Sequence, residues 1–223
     1  MCGKFTAMAS WSEAAFFSAL EAGEILASSP DDHEVIFRVM NPLPLVVWDK
    51  EKQARRVIAA RWGFPHPLDW RRPQPIHARA ETIDGLSVFA DAFAGKDRDS
   101  GRGLVLVKSF NEAPDSGEQH VFEPEAYASA IAFVWKSFNV GAAAPLIACC
   151  MVTVPANQLI ASLPTDRMPA IIEPEDWAKW IGEEPASLAG LKAMLKTKDG
   201  LNWTMRREHR AKATLREPTG MLF

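Results

Sequence analysis

A chain of 223 residues holds one large domain or two small ones, and it is read here as one domain over 1–223. Hydrophobic residues make up 48%, as in ordinary globular proteins. No apolar run is long enough to span a bilayer, and no signal pattern opens the chain, so a cytoplasmic protein is expected, nucleoid-associated if bacterial. A formal charge of −3 argues against a uniformly basic nucleic-acid binder.

The chain opens Met1-Cys2-Gly3-Lys4-Phe5. Cysteine is small enough for the initiator methionine to be removed. That would leave Cys2 with a thiol and a free α-amino group, which titrate near ~8.5 and ~7.8 when unperturbed. Such a 1,2-aminothiol condenses with an aldehyde to a Schiff base, and its thiol then closes a thiazolidine ring. Taken alone, a cysteine at position 2 is more simply an accident of sequence.

Ser10-x-x-Glu13 is a capping box ahead of an apolar run and predicts a helix starting near Ser12. Strands are expected over 45–48, 56–62, 103–110, 131–138, 146–154 and 168–172. The proline-rich stretch 64–75 reads as a surface loop. One late helix should begin at Pro174 and carry Trp177 and Ile181. Another should carry Leu188, Leu191, Met194 and Leu195. Trp177 and Trp180 read as core. Strands without a regular βαβ alternation predict an α+β fold, with a mostly antiparallel, barrel-like sheet flanked by helices.

Charge is unevenly spread. Residues 50–79 hold eight basic side chains against two acidic, and 196–216 hold seven against Asp199 and Glu208. Acid concentrates at 21–34, 112–125 and 173–184. The asymmetry allows a basic face on an acidic protein.

The three cysteines include the adjacent pair Cys149-Cys150 in an apolar run, which suits buried strand positions and neither a disulfide framework nor a zinc site. The five histidines show no metal spacing, and no phosphate-binding glycine loop or serine nucleophile elbow occurs. No metal and no cofactor are expected.

Five segments remain. They are Met1-Cys2-Gly3-Lys4-Phe5, Arg61-Trp62-Gly63-Phe64-Pro65, His77-Ala78-Arg79-Ala80-Glu81-Thr82, Arg102-Gly103-Leu104 continuing to Phe110-Asn111-Glu112, and Arg167-Met168-Pro169. In this order they resemble the SOS response-associated peptidase family, the abasic-site-processing proteins, most strongly over 1–180. The resemblance implies binding to single-stranded DNA at an abasic site, whose opened sugar presents an aldehyde. It implies that Cys2, once freed of Met1 by autoproteolysis, forms a thiazolidine DNA–protein crosslink there. It places the nucleophile on Cys2 and the catalytic glutamate on Glu112. A carboxylate near an amine can shuttle the protons that Schiff-base formation requires.

The sequence departs from the family pattern at two site positions. His77 stands where the pattern has Asn, and Thr165 where it has His. Threonine hydrogen-bonds but does not titrate usefully near neutral pH. One reading is that His77 takes over part of the missing imidazole's role; the other is that it only packs. Lesser departures are Gly103 for Cys, Leu106 for Pro and Ala113 for Trp.

For DNA contacts, the resemblance points to Arg79 and Arg167 near the flanking phosphates. Trp62, Phe64 and Trp70 are candidate stacking or wedge residues beside Arg61, Arg71 and Arg72, because aromatics in a basic groove hold single strands without sequence readout. Two other functions stay open: a non-catalytic single-strand binding module, and a cysteine peptidase acting on other proteins through Cys2 and Glu112. Peptide cleavage usually needs an imidazole, so Thr165 weakens the peptidase reading more. The sequence leaves the oligomeric state unassigned.

Overall fold

The computed structural model describes residues 4–7, 36–112, 118–124 and 129–208. The helix expected near Ser12 lies outside them. Fourteen strands occur among the described residues: β1 (Lys4–Ala7), β2 (Ile36–Arg38), β3 (Pro42–Asp49), β4 (Ala54–Trp62), β5 (Pro65–His66), β6 (Asp69–Pro73), β7 (His77–Arg79), β8 (Ser100–Glu112), β9 (His120–Glu123), β10 (Ser129–Phe138), β11 (Leu146–Pro155), β12 (Arg167–Pro169), β13 (Ile171–Ile172) and β14 (Thr204–Arg207). Three α-helices accompany them: α1 (Ser87–Ala94), α2 (Trp177–Ile181) and α3 (Leu188–Met194). The fold class is α+β, as expected.

Five strands close a hydrogen-bonded ring in the order β8–β3–β4–β11–β10 and back to β8. Most pairings are antiparallel, but β4 and β7 run parallel to β11. The ring encloses the core, where Leu45, Val105, Phe133, Cys149 and Met151 are all buried. Apolar burial of this kind is the main stabilising term.

Three local readings of the sequence are corrected. The stretch 168–172 is two strands. Ala170 inserts between β10 and β11, accepting from the Ala132 amide and donating to the Val152 carbonyl, both at 2.9 Å. That insertion places β12 on β11 and β13 on β10. The loop 64–75 contains the hairpin β5–β6. Helix α1 was not read from its short pattern, although it buries Phe89 and Phe93. At 174, a 3₁₀ turn over Pro174–Asp176 leads into α2, which buries Trp177 and Trp180.

Two glycines are fixed by geometry. Gly63 has φ +110°, and a Cβ there would stand 2.4 Å from Pro73. It lets the chain leave β4 for the hairpin. At Gly103 a Cβ would meet Leu45 at 2.7 Å. The Leu45 side chain therefore fills the space that the family pattern gives to a cysteine.

Arg102, beside Gly103, is buried between two helix ends. Its Nε donates to the Trp180 carbonyl and its Nη1 to the Phe93 carbonyl, both at 2.5 Å. Carbonyls at helix C-termini carry partial negative charge, which suits a cation there. Desolvation still lowers its pKa to about 10. Among the described residues, no helix is long and apolar enough to cross a membrane.

Candidate active site

Strand β8 runs on past the ring for several residues. There it is hydrogen-bonded on one edge to β1 and on the other to β9. Lys4 lies opposite Asn111, so the strand that follows the chain's first residues starts beside the end of β8. Glu112 closes β8 and is fully buried. Cys2 lies outside the described residues, two positions before Lys4.

Side chains directly opposite in an antiparallel pair share one face of the sheet. Phe110 and Phe122 illustrate this, with their rings stacked 5.5 Å apart. The next pair on that face is Glu112 and His120. Sequence reading passed over His120, whose signal was only its place two residues before Phe122.

Around β11, two distant segments come together. Strand β7 sets Arg79 beside Thr153, and β12 sets Arg167 beside Pro155. Arg167 is a correction: it is buried and engaged by the protein, and its guanidinium is not presented to phosphates. It donates to both oxygens of Glu81 at 2.6 and 2.9 Å, and to the Thr153 carbonyl at 2.6 Å. Arg79, by contrast, is exposed. His77 packs edge-on to Trp62 at 6.3 Å, alongside Met151. Thr165 precedes β12, with its hydroxyl 3.4 Å from the Arg167 carbonyl. Since the Ala156 amide donates to the Asp166 carbonyl, Thr165 lies beyond the end of β11, whereas His77 lies alongside its middle.

The candidate aromatics divide. Trp62 and Phe64 are wholly buried, a second correction. The indole of Trp62 donates to the Ile76 carbonyl at 3.1 Å, and Phe64 packs on Phe138 and Phe89. Both are core, because the turn at Gly63 folds them inward. Trp70 is 39% exposed on the hairpin, with Arg71 over its ring at 5.3 Å. Arg71 and Arg72 are exposed, and so is Leu68 at the tip. Arg61 holds the hairpin's base by donating to the Trp70 and Gly63 carbonyls. Elsewhere in the basic run, Arg55 and Arg56 are taken up by Glu183 and Asp49. What the hairpin exposes is therefore one aromatic, two cations and the apolar tip residue Leu68.

Cys149 and Cys150 are buried in β11, and desolvation pushes both thiols up. Neither is fit to act as a thiolate. Among the described residues, no group of three or more His, Cys, Asp or Glu is placed to hold a metal ion.

Comparison with known proteins bears on this arrangement. The family model for SOS response associated peptidase (SRAP) matches residues 1–209. The chain belongs to that family. Membership assigns this SRAP protein to an SOS-associated, peptidase-like class. Solved structures share the SRAP chain's fold. A Bacteroides thetaiotaomicron protein matches with TM-score 0.75 at 16% identity, over 94% of this chain and 93% of its own. A Bordetella bronchiseptica protein matches with TM-score 0.72 at 16% identity, over 93% and 100%. A phage-related protein of the same organism matches with TM-score 0.62 at 17% identity, over 94% and 95%. At these identities the likeness is one of fold. No curated protein matches the chain.

Proposed function

We propose that this SRAP protein captures abasic sites in single-stranded DNA as a thiazolidine crosslink through Cys2, after Met1 has been removed. The observation that supports this most is the pairing of β1 with the end of β8. Two residues span at most about 7 Å, so an N-terminal Cys2 is tethered close to Lys4, which is itself paired next to the buried Glu112.

In this mechanism the Cys2 amine attacks the opened sugar's aldehyde carbon. Glu112 supplies the proton that lets the oxygen leave as water, and the thiol then bonds to the same carbon. The exposed Trp70, Arg71 and Arg72, with Arg79, are suited to hold the strand by stacking and phosphate contact. His77 and Thr165 occupy the positions where the family pattern has its other site side chains. A second reading, a strand-binding module without the chemistry, is favoured by Thr165, because threonine cannot replace a titrating imidazole.

The deciding experiment is intact-mass analysis after mixing with an abasic single-stranded oligonucleotide. Loss of Met1 and an adduct that disappears in Cys2→Ala are expected. Tight binding with no adduct would turn the assignment to the second reading.

A further inference from the structure

We infer that the cleft at the Arg102 end of β8 is a binding site for a small molecule carrying one carboxylate on an apolar body. The cleft stands at the opposite end of the strand from Glu112 and takes no part in the crosslinking reading. Its volume is about 500 Å³, within the roughly 300–1,000 Å³ of small-molecule sites. Half-buried Trp48, Ile58, Trp135 and Ile147, one from each of β3, β4, β10 and β11, line it with apolar surface. The start of β8, from Ser100 to Arg102, supplies a polar wall.

Three hydrogen-bond donors in this lining are unused. The Ser100 hydroxyl is buried and has no hydrogen-bond partner among the described residues. A buried polar atom left in that state calls for a partner. Arg102 donates from Nε and Nη1 to the Trp180 and Phe93 carbonyls, which leaves Nη2 without an acceptor among the described residues. The Trp135 indole N–H also has no acceptor among them. It lies over Gly101, where a Cβ would stand 3.3 Å from Nε1. Gly95 and Gly182, which end α1 and α2, keep the guanidinium reachable. A Cβ at either would stand 3.1 or 3.3 Å from its nitrogens.

The Arg102 guanidinium is only 8% exposed, yet no carboxylate among the described residues pairs with it. The ion pairs of the cleft lie elsewhere, with Arg56 on Asp49 and Arg98 on Glu51 and Asp99. A buried charge without a counter-ion is costly, and the two helix-end carbonyls supply only partial charge. An anion seated against Nη2 would meet that deficit. A carboxylate offers two acceptor oxygens with several lone pairs, which suits Nη2, the Ser100 hydroxyl and the Trp135 N–H together. The lining also selects against a dianion. Asp97 and Glu184 belong to it with no ion pair among the described residues, and they would repel a second negative charge.

The test is isothermal titration calorimetry of the full chain with octanoate, in the absence of DNA. Saturable binding with a Kd below about 1 mM is expected. Octyl phosphate and 1-octanol should each bind at least about tenfold more weakly, the first for its second charge and the second for having none. Ser100→Ala should weaken octanoate binding about tenfold without lowering the Tm of the free protein, because the lost hydroxyl was unsatisfied. Trp135→Phe keeps a ring, loses the N–H and should weaken binding similarly. The indole N–H signal of Trp135 should shift in NMR spectra as octanoate is added. No saturation by octanoate, equal binding of 1-octanol, tighter binding of octyl phosphate, or full affinity in both variants would each overturn the assignment. None of these outcomes depends on an adduct at Cys2, so this site and the crosslinking reading stand or fall separately.

Discussion

Arg167 and Glu81 are joined by two parallel hydrogen bonds, from Nη1 to Oε1 at 2.6 Å and from Nη2 to Oε2 at 2.9 Å, across 86 residues of chain. This fork explains two sequence segments at once. The glutamate of His-Ala-Arg-x-Glu-Thr and the arginine of Arg-Met-Pro exist to hold each other on either side of β11. Charge-assisted bidentate pairs are among the stronger polar contacts. Glu81 is half exposed, so solvent weakens this one.

Glu81→Gln should lower stability at pH 7 by about 1–2 kcal/mol, measured by urea unfolding. The Arg167 guanidinium is the main cause holding the Glu81 carboxyl below its ordinary range. A depressed carboxylate contributes stability above its unfolded pKa and loses it as pH falls through the folded value. The difference between wild type and variant should therefore shrink below about pH 4. Arg167→Lys should not preserve the pair, since an ammonium lacks the fork.

Gly103→Cys restores the family residue and should nonetheless destabilise the fold. Its Cβ would meet Leu45 at 2.7 Å. Overpacking of this kind costs about 1–3 kcal/mol. Adding Leu45→Ala should recover part of the loss, and a double-mutant cycle by thermal unfolding would show the coupling.

Trp62 and Trp70 should separate cleanly. Trp70→Ala should leave the fold intact and weaken binding to a single-stranded oligonucleotide by roughly 1–3 kcal/mol. Trp62→Ala should unfold the protein, costing about 3–5 kcal/mol. Arg71→Ala and Arg72→Ala should each reduce the salt dependence of binding by about 0.7 in slope, the single-strand value per phosphate contact. Fluorescence anisotropy across a salt series measures the binding changes, and thermal unfolding measures the stability of the two tryptophan variants.

Glu112→Gln should slow crosslinking about 10²-fold or more while binding is kept, as scored by gel shift of the covalent adduct. Cys150→Ala should still crosslink, because its thiol is locked in the core with its pKa pushed up.

Much of the fold was legible in the sequence. Alternation and β-branched content gave the strands that became β3, β4, β8, β10 and β11. The α+β class followed from the order of the elements, and the late helices from Pro174 and from apolar residues at helical spacing. What escaped was set by tertiary contact. The split at Ala170 depends on a wedge between β10 and β11, which no local pattern reports. The aromatics Trp62, Phe64 and Trp70 look alike in sequence. The turn at Gly63 decides which of them face the core. Arg167 looked like a phosphate ligand because its partner Glu81 is far away in the chain.

Strand β8 carries the buried cation Arg102 near one end and the buried acid Glu112 at the other. At about 3.3 Å per residue they stand roughly 33 Å apart along one unbroken strand. The Arg102 end is clamped by two helices, and the pairing of the strand with β1 shifts register between Val107 and Ser109. A side chain mounted on a strand is placed more precisely than one on a loop. Under the crosslinking proposal the DNA strand would have to come to Glu112, and recognition would rest with whatever bends it inward.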